Sequence, residues 1–252
     1  MINLNRRKSD ERIRLFCFPY AGGGSSAFLE WKKHLPARIE VCPLQYPGRE
    51  NRVKDPLLFN IPDVVDDVIG QLLPYVDEPY ALFGYSMGAI VAFEVARKLR
   101  TMQQSTPEHM IVAARSAPSV NRELPIKHLL GDSMFLESVK ELGGTPAAFF
   151  EYPELVELIL PILRADFQAI ETYEYRCGEV FDFPITALGG ELDTDSPPDS
   201  LNQWKRETKD EFKQICYPGG HFFLNDHFST LIADIRAIFA SEIVSARRSA
   251  RV

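Results

Sequence analysis

Short apolar runs alternate with helix-patterned stretches along the first half of the chain, and that alternation leaves few architectures open. Arg12–Phe18 becomes fully apolar and breaks at Pro19-Tyr-Ala-Gly-Gly-Gly24, while Ile39–Leu44, Tyr80–Phe83 and His109–Ala114 are three further runs. Helical periods fill the gaps. Phe28, Trp31 and Leu35 space out a short helix that Ser25 or Ser26 can cap. Val64, Val65, Val68, Ile69, Leu72 and Leu73 line one face of a longer helix opened by Pro62. Strands separated by helices build βαβ units, so the chain is expected to be an α/β protein with a mainly parallel sheet flanked by helices. Pro43 puts its run near a sheet edge or ends it early. Asp63, Asp66 and Asp67 read as the solvated start of a helix rather than as metal ligands.

The alternation then stops. From about Asn121 to Gly178 there are helical spacings and loop breakers but no strand pattern. Leu155, Leu158, Ile159, Ile162, Leu163, Phe167 and Ile170 form one stripe, which Pro161 is expected to kink or split. Phe183–Leu188 and Phe212–Tyr217 restore the strand pattern, and Leu231, Ile235, Ile238 and Phe239 mark a last amphipathic helix. The Arg- and Ser-rich end reads as frayed. One domain over residues 1–252, with a helical insertion at about 121–180, accounts for this order. A chain of 252 residues can bury a core without staples.

Composition excludes several classes. Lys+Arg 28 against Asp+Glu 35 gives a net charge of −7, the wrong sign for a nucleic-acid binder. The 4 cysteines are far apart and show neither a disulfide framework nor paired zinc spacing; Cys17, Cys42 and Cys216 read as small buried hydrophobes. The basic residues Arg6-Arg-Lys8 are followed by no apolar stretch, so no signal peptide is read there. No run approaches the ~20 apolar residues of a membrane span. A cytoplasmic protein without membrane contact is expected.

Chemistry concentrates in Gly84-Tyr-Ser-Met-Gly88, which has the G-x-S-x-G form of a nucleophile elbow and stands between an apolar strand and a long helix running to about Leu99. A serine hydroxyl needs a base, a group that orients the base, and donors for the oxyanion. Of the 5 histidines, His221 follows a strand and the break Pro218-Gly-Gly220, where open α/β sheets place their sites; His227 is the runner-up. Asp193 and Asp195 both follow the Phe183–Leu188 strand and qualify as the acid, Asp199 less so, and Asp195 can alternatively cap the next helix. The oxyanion donors expected are the backbone N–H of Met87 and one from the Pro19–Gly24 loop, Tyr20 or Ala21. The glycine triplet there is no phosphate cradle, because neither G-x-x-x-x-G-K-[ST] nor G-x-G-x-x-G with its later acid occurs. No metal and no cofactor are expected.

The chain resembles the type II (editing) thioesterases of polyketide and nonribosomal peptide synthesis, members of the α/β-hydrolase superfamily. The resemblance spans about Leu15 to Phe239. It rests on Phe18-Pro-Tyr-Ala-Gly-Gly, Tyr46-Pro-Gly-Arg-Glu-Asn-Arg52, the elbow, Glu141-Leu-Gly-Gly-Thr-Pro146, Leu163-Arg-Ala-Asp-Phe167 and Pro218-Gly-Gly-His-Phe-Phe223. The Pro-Gly-Arg-Glu, Leu-Gly-Gly-Thr-Pro and Leu-Arg-Ala-Asp-Phe segments are the more specific part, and triad chemistry does not require them. The resemblance implies Ser86 as nucleophile, His221 as base and Asp193 as acid, with Trp204 in the family's register after it. Thr194 stands where the family usually has proline. It further implies an acyl thioester substrate on the 4′-phosphopantetheine arm of a carrier protein domain, and makes the insertion a lid with possible hinges at Gly143-Gly144, Pro146, Pro153 and Pro161. Arg49 and Arg52 read as solvating a Pro-Gly turn or, as the functional alternative, as contacts to phosphate or carrier. A typically acidic carrier would need a local basic patch on this acidic chain. Two rival functions remain, a general carboxylester or lipase-like hydrolase and a non-catalytic binding scaffold.

Overall fold

The computed structural model describes residues 12–120, 125–144 and 150–249, the last nine as helical backbone. In chain order the elements are β1 (Ile13–Phe18), α1 (Trp31–His34), β2 (Ile39–Pro43), α2 (Ile61–Leu72), β3 (Tyr80–Tyr85), α3 (Met87–Thr101) and β4 (His109–Ala113). There follow α4 (Asp132–Glu141), α5 (Pro153–Glu171), β5 (Ile185–Gly190), α6 (Pro198–Leu201), β6 (Phe212–Tyr217), α7 (Phe223–Asp226) and α8 (Phe228–Ser249). The six strands form one sheet in the order β2-β1-β3-β4-β5-β6, and every pairing is parallel. β2 is an edge strand and ends at Pro43, as its proline led one to expect.

Strand residues alternate between two cores. Phe16, Phe18, Leu82, Met110 and Val112 face the layer containing α2 and α3, while Leu15, Cys17, Ala81, Phe83 and Ile111 face Trp31 of α1 and Leu231, Ile235 and Phe239 of α8. Both sheet faces are covered, which is why the strands read as apolar runs rather than as alternating ones. α2 begins as its sequence suggests: the Asn60 side chain accepts from Asp63 N–H, and Pro62 occupies the first turn. Asp66 pairs with Lys98 and Asp67 with Arg52, so the acidic residues are ion-paired as well as solvated.

Four local expectations need correction. Neither Ser25 nor Ser26 caps the short helix; both hydroxyls instead donate to the Glu50 carboxylate, which gathers two side chains of the β1 loop. α5 runs unbroken through Pro161, whose missing N–H falls on the exposed side of the helix, where the freed carbonyl can meet water. The stripe on α5 is buried only in its second half, since Leu155 and Leu158 are exposed while Ile162, Leu163 and Phe167 are buried, the last two against Phe135 and Val139 of α4. Backbone from Ser241 to Ser249 continues α8 rather than fraying. The Arg6-Arg-Lys8 segment, Thr145-Pro146 and the last three residues lie outside the described residues. No described helix is long and apolar enough to cross a membrane.

The chain passes from β1 to the edge at β2 and then returns to place β3 on the other side of β1. The order therefore reverses between β1 and β3, and a crevice opens at the carboxyl ends of those two strands. Ligands of open α/β sheets bind at such switch points.

Candidate active site

Ser86 follows β3 directly, at φ 53° and ψ −116°, a left-handed conformation that a non-glycine residue adopts only under constraint. The constraint comes from its glycine neighbours. A Cβ on Gly84 would lie 2.3 Å from the Gly88 carbonyl oxygen, and a Cβ on Gly88 would lie 2.1 Å from the Phe18 carbonyl oxygen. The elbow can therefore close only with glycine at both places, and closing it seats the first turn of α3 against the end of β1. Ser86 N–H donates to the Ala113 carbonyl at 2.8 Å, tying the turn to β4.

His221 reaches the same point from the loop after β6. Gly219 turns that loop at φ +101°, and a Cβ on Gly190 would lie 2.2 Å from the Gly220 carbonyl oxygen, so β5 can approach only as glycine. The Tyr85 hydroxyl donates to the His221 carbonyl at 2.6 Å and fixes the histidine backbone from beneath the sheet end. Burial pushes the Tyr85 phenol well above its ordinary range, keeping it a donor. His221 Nε2 lies 2.9 Å from Ser86 Oγ, and Nδ1 lies 2.9 Å from Asp193 Oδ2. A carboxylate only accepts hydrogen bonds, so Nδ1 carries the proton and Nε2 presents its lone pair to the serine hydroxyl.

Asp193 is wholly buried. Its Oδ1 accepts the N–H groups of Asp195 at 2.9 Å and Ser196 at 3.1 Å, so two backbone donors fix the carboxylate that faces the imidazole. Asp195 points elsewhere, toward Lys127 Nζ at 3.4 Å, and does not cap α6, whose N-cap is Pro197. Trp204 is buried and donates to the Arg115 carbonyl at 2.8 Å. His227 stacks on Tyr217, with ring centroids 6.1 Å apart, while His128 pairs with Glu171 and His109 bonds Thr186.

Met87 opens α3, where no intrahelical acceptor exists for its N–H. Tyr20 and Ala21 line the same cavity as Ser86 and His221; the next two amides are already engaged, Gly22 N–H by Asp166 and Gly23 N–H by the Tyr20 carbonyl. That cavity is about 160 Å³, and the insertion supplies its apolar wall through Val139, Leu142, Ile159, Leu163 and Phe167. A second one of about 70 Å³, also lined by Ser86 and His221, extends to Arg115, Lys127 and Asp195.

Both readings of Arg49 and Arg52 fail. Arg49 is buried in an ion pair with Asp166, and Arg52 pairs with Asp55 and Asp67, so neither simply solvates a turn nor offers a free guanidinium to a phosphate. Sequence reasoning also missed Tyr85, Arg49 and Asp166 as neighbours of the site. The signal was available for the last two, an arginine and an aspartate in two segments that triad chemistry left unexplained.

Comparison with known proteins agrees with the fold. The thioesterase domain family model matches residues 13–239. The gramicidin S biosynthesis protein GrsT of Aneurinibacillus migulanus is 43% identical over 216 residues, covering 86% of this chain and 84% of that protein. Among solved structures, ClbQ from the colibactin NRPS/PKS pathway superposes with a TM-score of 0.89 at 29% identity, covering 93% of this chain and 100% of that one. RedJ, the thioesterase from the prodiginine biosynthetic pathway of Streptomyces coelicolor, does so with a TM-score of 0.84 at 34% identity, covering 90% and 85%. With its parallel sheet, its helical insertion and a serine on the turn after β3, the chain belongs to the thioesterase family of the α/β-hydrolase fold and is a thioester hydrolase.

Proposed function

We propose that the protein clears aberrant or stalled acyl groups from the phosphopantetheine arm of carrier domains, with Ser86 as nucleophile, His221 as base and Asp193 as the acid that orients it. The observation that carries this reading is the unbroken chain from Asp193 Oδ2 through His221 to Ser86 Oγ, 2.9 Å at each step, at the mouth of a cavity walled by the insertion. His221 Nε2 takes the serine proton as Oγ attacks the thioester carbonyl, and Asp193 stabilises the imidazolium that forms. The developing oxyanion sits against Met87 N–H, at the positive end of α3, and against Tyr20 N–H or its neighbour Ala21. Collapse expels the pantetheine thiol, which takes the proton from His221. Water, activated by the same imidazole, then hydrolyses the acyl-serine.

Pockets that enclose larger ligands run to about 300–1,000 Å³. A cavity of about 160 Å³ suits the short acyl groups of misprimed carriers until the insertion moves. No disulfide joins the four cysteines, which suits a reducing compartment such as the cytoplasm. Docking of the carrier is not assigned to Arg49 or Arg52, whose charges are already paired.

The test is turnover of acyl groups loaded on a carrier domain, compared with a simple oxygen ester of the same acyl chain, by wild type and Ser86→Ala. The substitution keeps the Cβ and hence the elbow backbone, so the fold should persist while kcat falls by roughly 10⁴–10⁶. A folded variant that kept more than about a tenth of the activity would remove Ser86 from the mechanism. Preference for the oxygen ester would favour a carboxylester hydrolase instead.

A further inference from the structure

The segments Tyr46-Pro-Gly-Arg49 and Leu163-Arg-Ala-Asp166 take no part in acyl transfer, yet both reach the loop after β1. That loop is held at three points. The Tyr46 hydroxyl donates to the Pro19 carbonyl at 3.2 Å, Arg49 Nη1 donates to the Gly23 carbonyl at 3.2 Å, and Gly22 N–H donates to Asp166 Oδ2 at 2.7 Å. Arg49 and Asp166 are themselves locked together by two parallel bonds, Nη1–Oδ2 at 2.5 Å and Nη2–Oδ1 at 2.8 Å. Both are almost wholly buried. Tyr20 and Ala21, which line the cavity together with Ser86, lie between the anchors.

We propose that the Arg49–Asp166 pair is a positioning device, fixing the Tyr20–Ala21 amides where the oxyanion develops and thereby making α5 of the insertion part of the catalytic frame. This rests on the reading that the β1 loop supplies an oxyanion donor. An oxyanion hole works because its donors need not reorganise as charge develops. The loop cannot provide that stiffness alone. It runs into Gly22-Gly23-Gly24, with Gly22 at φ +78°, and glycine backbone is permissive. Leu163 of α5 packs onto Gly22 so closely that a Cβ there would lie 2.4 Å from its Cδ2, so the helix clamps the loop as well as bonding it. Stability alone does not explain the pair. Two apolar side chains of similar volume commonly stabilise a buried site at least as well as an ion pair does. What they lack is an acceptor for Gly22 N–H and a donor for the Gly23 carbonyl.

That difference sets the experiment. The double variant Arg49→Met/Asp166→Leu should fold, since apolar replacement of a buried ion pair is tolerated, with a melting temperature lowered only by the unpaired Gly22 N–H and Gly23 carbonyl. Its kcat on an acyl-carrier thioester should fall by roughly 10²-fold, the lower end of the loss of one oxyanion donor, with KM within about threefold. Affinity for an alkyl trifluoromethyl ketone, whose hemiketal mimics the oxyanion, should weaken by the same factor as kcat/KM. The pH midpoint of kcat/KM should not move, because the Ser86–His221–Asp193 chain is untouched. A folded double variant with kcat within about threefold of wild type overturns the proposal, and so does a loss of kcat with trifluoromethyl ketone affinity intact. If the double variant does not fold, Asp166→Asn, which keeps the side-chain volume and one acceptor oxygen, is read by the same criteria. Failure of the nucleophile assignment shows separately, as turnover by Ser86→Ala, whereas trifluoromethyl ketone affinity reports on the oxyanion donor itself.

Discussion

Asp193 and Asp195 stand two positions apart on one loop, and the structure gives them different surroundings. Asp193 faces the imidazole with its other oxygen fixed by two backbone N–H groups, while Asp195 lies at the rim of the smaller cavity beside Lys127. Asp193→Asn keeps the shape but can no longer select the tautomer that leaves Nε2 free, so kcat should fall by roughly 10²–10⁴. Asp195→Asn weakens one partly exposed ion pair, and its kcat should stay within about tenfold of wild type. Steady-state kinetics on one carrier thioester checks both, and the reverse order would make Asp195 the acid. At this scale much was legible, because the serine, the histidine and a pair of aspartates sit beside glycine breaks after strands. The choice between the aspartates was not derivable from spacing alone. It depends on which carboxylate the turn buries, and the Asp195 and Ser196 amides that decide this carry no side-chain signature. Arg49 was misread for a related reason. A charged residue beside Pro-Gly looks solvated until its partner, 117 residues away, is brought to it.

The insertion divides into two parts of unequal attachment. The second half of α5 is buried and holds both the Arg49–Asp166 pair and the Gly22 amide, whereas α4 buries only Phe135 and Val139, and Leu155 and Leu158 leave the first half of α5 exposed. We infer that α4 and the first half of α5 are the part of the insertion able to move as a lid. Gly144 packs against the neighbour of His221, since a Cβ there would lie 2.2 Å from the Phe222 ring. Hydrogen exchange should show amides of α4 and of residues 155–160 opening more readily than those of 163–170, and all of these more readily than β3 and β4. Uniform protection through both halves of α5 would refute a split lid. The helices themselves were legible from their apolar spacing, and the insertion from the gap in strand pattern. Which half of α5 is anchored was not. Leu155 and Leu163 share one stripe, and only packing against the β1 loop and α4 distinguishes them.

Parallel strands could be read from their alternation with helices, but the order β2-β1-β3 could not. Residues such as Leu15–Phe18 are apolar toward both faces and carry no label for their neighbour. The same two-sided burial has a consequence for the whole molecule, because the sheet and its flanking layers enclose tyrosines. Tyr46, Tyr80, Tyr85 and Tyr217 are almost fully buried, and burial first of all pushes each phenol above its ordinary range; beside Tyr217 the Asp234 carboxylate, accepting its hydroxyl, adds to the effect. In the unfolded chain these phenols ionise near pH 10, so above that point the unfolded state binds fewer protons than the native one and stability falls as pH rises. Below about pH 10 the contribution is fully present. Each buried phenol then removes about 1.4 kcal/mol per pH unit, and four together remove on the order of 5 kcal/mol, a large part of the ~5–15 kcal/mol available to a domain. Alkaline unfolding should accordingly be steep, complete within one to two units above about pH 10, with tyrosinate absorbance from the buried phenols rising together with the loss of circular dichroism. Tyr217→Phe keeps the ring stacked on Phe223 and removes one proton-linked group, so it should make the transition shallower by about one proton. If the buried tyrosines instead titrate reversibly with the dichroism of the native sheet intact, the interior is wetter than its packing indicates, and the linkage between phenol burial and stability does not hold.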